Sequence, residues 1–325
     1  MNEVLPVFIG KSSAEIVKWT EDRLESYNII GLNKEVATNF WFEMFSTATK
    51  DNTLLNRLKD KALHRVKNLI LIFSTWEGVS SGLTPALIPQ LKYWKIKNLV
   101  IAILPSRLQP ADAQFNTLSS LGKSLSYNAP LLLVERDRLE KYVGVNRSGN
   151  IIKGKTIIND VLNVMLSREE IINEIVQLSN SHKVKKFTIL PIMGASLEIY
   201  GSLKNILDSA LPRQLLTFNL STATIAYVIL RIPLHLKEII RKEDFELTVS
   251  KWLKKKGKFR SINVSEPLYI KDLSDRIDIL ILVGGFETFK LFSSLINEVN
   301  EVKNYLIEQK YINKEELNKI VKNLI

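Results

Sequence analysis

The chain contains no cysteine. Disulfides, thiolate nucleophiles and cysteine-ligated metals are thereby excluded. Histidine is nearly as scarce, with three in 325 residues. His64 and His235 have no His, Asp or Glu at metal-ligand spacing, so no metal site is expected. No uninterrupted apolar run reaches about 18 residues, and no basic segment leads into a long apolar one after Met1. Neither a membrane span nor a secretion signal is predicted, and a cytoplasmic protein is expected. Internal repeats and low-complexity tracts are also missing.

What is present is the balance of a folded protein, 46% hydrophobic and 24% charged, with length enough for two cores. Basic residues outnumber acidic ones 45 to 34, for a formal charge of +11. Such an excess favours nucleic acid, anionic lipid or an acidic partner. The lysines are spread along the sequence, however, and a genome rich in Ile, Lys and Asn codons accounts for part of the excess. Specific nucleic-acid binding is therefore not expected.

The stretch from Asn68 to Leu104 organises the chain. Leu69 to Phe73 is an apolar strand, Ser74 to Gly82 a small-residue loop, and Asn98 to Leu104 a second apolar strand. Between them Leu83, Leu87, Leu91 and Trp94 share one face of a helix, with Pro85 suited to its first turn. Short apolar runs bounded by turn residues suit strands buried on both faces. The loop then lies beyond the carboxyl end of a strand, where backbone N–H groups and a helix amino end can hold an anion such as phosphate.

The same grammar opens the chain. Leu5 to Ile9 is a strand, Gly10-Lys11-Ser12-Ser13 a tight loop, Ala14 to Ser26 a helix and Tyr27 to Gly31 a short strand. A helix from Thr53 to Val66 leads into the central unit. After it come a helix, Ala113 to Leu125, a buried strand, Pro130 to Val134, and an exposed excursion, Tyr142 to Gly154. One long helix is predicted from Thr156 to Ser179. Strands at Phe187 to Ile192, Thr222 to Pro233 and Ile277 to Val283 follow, with a helix Gly201 to Leu211 between the first two. Lys254 to Lys258 reads as a basic hairpin edge. From Glu287 the chain is amphipathic helix, with Asn313 and Glu316 spaced as a capping box.

The predicted fold class is α/β, an open, mostly parallel Rossmann-like sheet with flanking helices, a long central helix, a smaller α+β domain and C-terminal helices. The expected divisions are 1–155, 156–180, 181–286 and 287–325.

Three stretches resemble the tubulin and FtsZ superfamily. Gly78-Val79-Ser80-Ser81-Gly82-Leu83-Thr84-Pro85 is similar to the latter half of its signature, GGGTGTG followed by proline. Asn159-Asp160-Val161-Leu162 matches the NDVL found where FtsZ reads guanine, and Asp278 to Phe286 resembles its last core strand. The resemblance spans most of the chain and implies an archaeal, FtsZ-like cytoskeletal protein, with roles in polymer formation or cell division. It also implies a GTP or GDP site at Gly10, Lys11, Ser12, Ser13, Gly78, Ser80, Ser81, Gly82, Arg136 and Asp160. Head-to-tail self-association, or association with a related tubulin-like protein, follows from the same likeness.

The departures bear on chemistry. Lys11, Ser12 and Ser13 stand where the family's first loop, GxGGxG, has small residues, and side chains there crowd a phosphate-hugging backbone. Trp76 and Glu77 stand where FtsZ has glycine, and a carboxylate repels polyphosphate unless Lys11 or a metal offsets it. The loop that completes a neighbour's site falls on Asn180 to Lys185, where both acids of N-x-D-F-A-D are lost and Lys183 and Lys185 appear. The base-stacking aromatic falls at Lys155. Weak or lost GTP binding and little hydrolysis are expected, with no catalytic residue assigned. Two alternatives stand beside this: a GTPase using Glu77 or His182, and a binding module docking nucleic acid, membrane or protein through its basic surface.

Overall fold

The structure is a computed structural model that describes residues 4–10, 12–13, 41–50, 66–106, 109–308 and 312–324. The predicted helix Ala14 to Ser26, the predicted strand Tyr27 to Gly31, and Lys11 lie outside the described residues. So does the predicted helix Thr53 to Val66, except for its last residue. Nine strands form one sheet. They are β1 (Val4–Ile9), β2 (Asn68–Ser74), β3 (Lys97–Leu104), β4 (Leu131–Glu135), β7 (Lys186–Ser196), β8 (Ile225–Pro233), β9 (Ser261–Val264), β10 (Leu268–Ile270) and β11 (Arg276–Gly284). The order is β1-β2-β3-β4-β7-β11-β8-β10, with β9 also on β8. β1 to β4 and β7 run parallel, and β11 is antiparallel to both neighbours.

The alternation of a strand sends its apolar residues to two cores. In β2, Leu69, Leu71 and Phe73 enter one and Ile70 and Ile72 the other. Both sides of the sheet are therefore covered, as an unbroken apolar strand requires. The first core takes α1 (Trp41–Lys50), α2 (Gly78–Tyr93), α3 (Ala111–Ser126), α10 (Phe289–Glu308) and α11 (Lys314–Leu324). The second takes Leu139 of the short α4 (Arg136–Lys141), with α5 (Ile157–Met165) and α6 (Glu170–His182). The C-terminal helices pack on α3, where Gly122 lets Ile320 approach: a Cβ at Gly122 would lie 2.7 Å from Ile320 Cγ2. Asn313 caps α11, accepting from Glu316 N at 2.7 Å. The far end of α11 is held by Lys186, whose Nζ donates to Leu324 O (2.6 Å) and Thr288 Oγ1 (2.8 Å). Burial lowers the pKa of that lysine to about 8.

Four elements differ from expectation. The helix predicted from Thr156 to Ser179 is two helices, broken over 166–169. Between Met165 and Ile171 only Leu166 is apolar, so no stripe continues. Ser167 Oγ donates to Val164 O (2.5 Å), and Arg168 reaches Glu266 O (3.3 Å). The excursion over 142–154 is a hairpin, β5 (Val143–Val145) and β6 (Ile151–Lys153), with Tyr142 and Ile152 buried. The predicted Gly201 to Leu211 helix is shorter, α8 (Leu203–Asp208), and a separate turn, α7 (Leu197–Tyr200), ends just before it at left-handed Gly201 (φ +69). Lys254 to Lys256 form the last turn of α9 (Lys242–Lys256), not a hairpin edge.

Candidate functional site

The parallel strands deliver the loops after β1 and β2 to one carboxyl edge, Ile9 and Phe73 lying opposite each other in register. Only Thr75 to Glu77 of the expected loop is irregular, since α2 begins at Gly78. Pro85 therefore lies inside the helix and not in its first turn, which corrects the expectation. Thr75 Oγ1 donates to Ile103 O (3.0 Å), and Asn116 bridges to Trp76 O (3.1 Å) and from Trp41 N (2.9 Å), fixing the turn.

Glu77 is the residue before the first turn of α2, and its carboxylate lies in the space between the two loops. Oε1 accepts from Ser12 N (3.0 Å) and from Ser12 Oγ, and Oε2 from Ser74 Oγ (3.0 Å). Gly10 is left-handed (φ +88), and a Cβ there would meet Glu77 Oε2 at 2.6 Å. A backbone N–H, two hydroxyls and a close-approaching glycine beside a helix amino end constitute an anion cradle. The anion in it is the chain's own carboxylate.

The other expected serines direct their hydroxyls to backbone carbonyls. Ser13 Oγ donates to Ile9 O and to Gly10 O (2.9 Å), Ser80 Oγ to Ser74 O (2.5 Å), and Ser81 Oγ to Glu77 O (2.5 Å). Gly78 is buried in the first turn. Gly82 serves packing: a Cβ there would collide with the Trp41 carbonyl and lie 2.7 Å from Met44 Cβ. Arg136, the first residue of α4, lies 5.6 Å over the Trp76 ring and pairs with Glu140 (2.8 Å), at the rim of these loops. The hydroxyls of Ser12, Ser13, Ser74, Ser80 and Ser81 are thus all engaged within the chain.

Asp160 belongs to a different cluster, one the sequence reading missed. Its carboxyl is pushed up to about 6 by burial and by Asp278, against the pull of Arg231. Asp278 is fully buried; it accepts from Gly194 N (2.7 Å) and from Arg231 Nε and Nη2 (both 2.7 Å), with Arg147 Nε at 3.9 Å. Arg147, in the β5–β6 turn, also pairs with Asp272. Burial raises Tyr142 alongside. The available signal was an acid inside an apolar strand, Ile277-Asp278-Ile279, registered against Arg231 in β8.

The Asn180 to Lys185 stretch is at the opposite edge, where α6 turns through left-handed Lys183 (φ 56) into β7. His182 is exposed there, at the other end of the sheet from Glu77. Among the described residues no cluster of three His, Cys, Asp or Glu could hold a metal, and no helix is long and apolar enough to cross a membrane.

No known family profile and no curated protein matches the sequence. Solved structures do. CetZ1 from Haloferax volcanii, a GDP-bound monomer, superposes with a TM-score of 0.69 at 15% identity over 92% of this chain and 99% of that one. CetZ from Methanosaeta thermophila gives 0.67 at 12% identity over 98% of each. CetZ2 from Haloferax volcanii, a GTPγS-bound protofilament, gives 0.64 at 15% identity over 93% of this chain and 99% of that one.

Proposed function

We propose that this chain, whose fold is that of the tubulin and FtsZ superfamily, is a cytoskeletal protein that assembles with itself or a tubulin-like partner and does not turn over GTP. The observation that carries this reading is the Glu77 carboxylate in the cradle of Ser12, Ser74 and Gly10. A phosphate entering there must displace three hydrogen bonds and meet a negative charge, so nucleotide is disfavoured twice. The loss of both acids from the Asn180 to Lys185 loop supports slow or absent hydrolysis, since lysine cannot polarise water as a carboxylate does. A neighbour solved as a protofilament supports self-association.

Chromatography of the denatured, freshly purified protein tests the pocket. Guanine nucleotide is expected well below one per chain, and a stoichiometric amount would overturn the proposal. The Glu77→Gly variant should bind a fluorescent GDP about tenfold more tightly than the parent, the ratio for removing about 1.4 kcal/mol of repulsion. Equal affinity of the two would show that Glu77 does not guard the site.

A further inference from the structure

The two ends of the sheet carry opposite charges. At the amino edge four connections lie side by side, 66–68, 92–98, 126–130 and 180–186, entering β2, β3, β4 and β7. Backbone bonds join them, among them Lys97 N to Lys67 O (3.0 Å) and Leu131 N to Lys185 O (2.7 Å). These connections contain seven lysines and no Asp or Glu. At the carboxyl edge the Glu77 carboxylate fills the cradle between the loops after β1 and β2.

The cradle faces no cation among the described residues. Glu77 is half-buried, and its partners there, Ser12 and Ser74, are neutral. Other acids of that edge are matched, Glu140 with Arg136 (2.8 Å) and Glu135 with Arg138 (3.9 Å). A carboxylate accepts about four hydrogen bonds. Glu77 has three, so one position stays open to a donor.

The amino edge offers that donor in the turn after α6. Lys185 Nζ is engaged with Leu125 O (3.2 Å), and Lys186 Nζ with Thr288 and Leu324. Lys183 is exposed. The turn closes without its side chain, because Lys183 N donates to Asn180 O (3.3 Å) and Val184 N to Ser179 O (3.0 Å). Its φ of 56 is one that glycine adopts with least strain, yet a long cationic side chain stands there.

Opposite charges at opposite ends of one sheet cannot meet within a chain. They can meet between copies, and a contact between unlike patches repeats head to tail. We infer that Lys183 of one copy pairs with Glu77 of the next, an ammonium completing the cradle where phosphate is disfavoured. The inference rests on the nucleotide reading above and adds the ligand: a second copy of this chain. A charge pair of this kind sets direction and register more than strength.

Sedimentation of the full chain, stripped of small molecules by gel filtration and held at about 50 mM salt, tests the contact. Glu77→Lys and Lys183→Glu should each raise the concentration needed for assembly about tenfold or more. An equimolar mixture of the two should assemble as the parent does, because each variant supplies the charge the other lacks at both junctions. Co-assembly also shows that both variants are folded. Lys95→Glu, a reversal elsewhere on the same edge, should shift assembly less than about threefold. The proposal is overturned if the parent does not assemble, if either single variant assembles as the parent does, or if the mixture is no better than its components. Equal damage from Lys95→Glu and Lys183→Glu also overturns it. Guanine nucleotide at one per chain in the pellet would instead overturn the nucleotide reading, and a co-assembling mixture would then still uphold the ion pair.

Discussion

Replacing Gly82 by alanine separates two meanings of a signature glycine. If it spares room for phosphate, the change affects ligand and leaves the fold alone. The structure puts it elsewhere, on the face of α2 that meets α1. The new Cβ would overlap the Trp41 carbonyl and lie 2.7 Å from Met44 Cβ and 2.8 Å from Phe45 N. Two of those three neighbours are backbone, so no side-chain rotation relieves the contact, and the helices must separate. Overpacking of this kind costs about 1–3 kcal/mol. Loosening Trp41 and Met44, 2% and 0% exposed, adds about 1–2 kcal/mol of lost packing. Against this, alanine's better helix propensity returns about 1 kcal/mol. The net loss is roughly 1–4 kcal/mol. With about 2.1 cal/mol/K of unfolding entropy per residue, a chain of this length should melt about 1.5–6 °C lower. Thermal denaturation followed by circular dichroism reads the shift, and Met44→Ala in the same background should not recover it, because alanine keeps the Cβ that the new methyl meets. A melting temperature within about 1 °C of the parent would refute the packing argument.

The buried polar cluster yields further predictions. Because the Asp160 carboxyl is raised to about 6 from 3.8, its contribution to stability is complete below about pH 4 and is lost as pH rises through 6. Asp160→Asn should therefore match the parent near pH 4 and exceed it at pH 7.5. The full shift is worth about 3 kcal/mol, and partial exposure brings the expected gain to about 1–2 kcal/mol; parallel denaturation curves at both pH values would contradict it. Asp278→Ala should cost about 3–5 kcal/mol in urea unfolding, since it strands Arg231 with 15% of its side chain exposed. Adding Arg231→Met to that variant should restore most of the loss, and a purely additive double variant would show that the pair is not coupled.

How much of this was legible beforehand varies with the range of the interaction. The strands Leu69 to Phe73 and Asn98 to Leu104 and the α2 stripe were readable, because a run apolar on both faces, or apolar every three to four residues, is a local property with few alternatives. The Thr156 to Ser179 helix was over-read, because periodicity resumes at Ile171 and hides a polar gap that side-chain bonding opens. At the site, the glycines and serines around Gly78 could be located on the chain, but not the contacts each makes. Whether Gly82 faces a ligand or a helix depends on α1, some forty residues away. Whether Glu77 repels an anion or replaces one depends on Ser12, 65 positions earlier.

Residue type and short-range period were enough to set the alternation of strand and helix, the apolar sheet and the absence of thiol chemistry. The remaining features exist only in the folded chain. Folding closed the two loops around Glu77, registered Asp278 against Arg231, and drew lysines from four distant connections onto one edge. Electrostatics and packing act through space and not along the chain: parallel strands about 4.8 Å apart bring together charges that lie up to 119 positions apart, as Lys67 and Lys186 do.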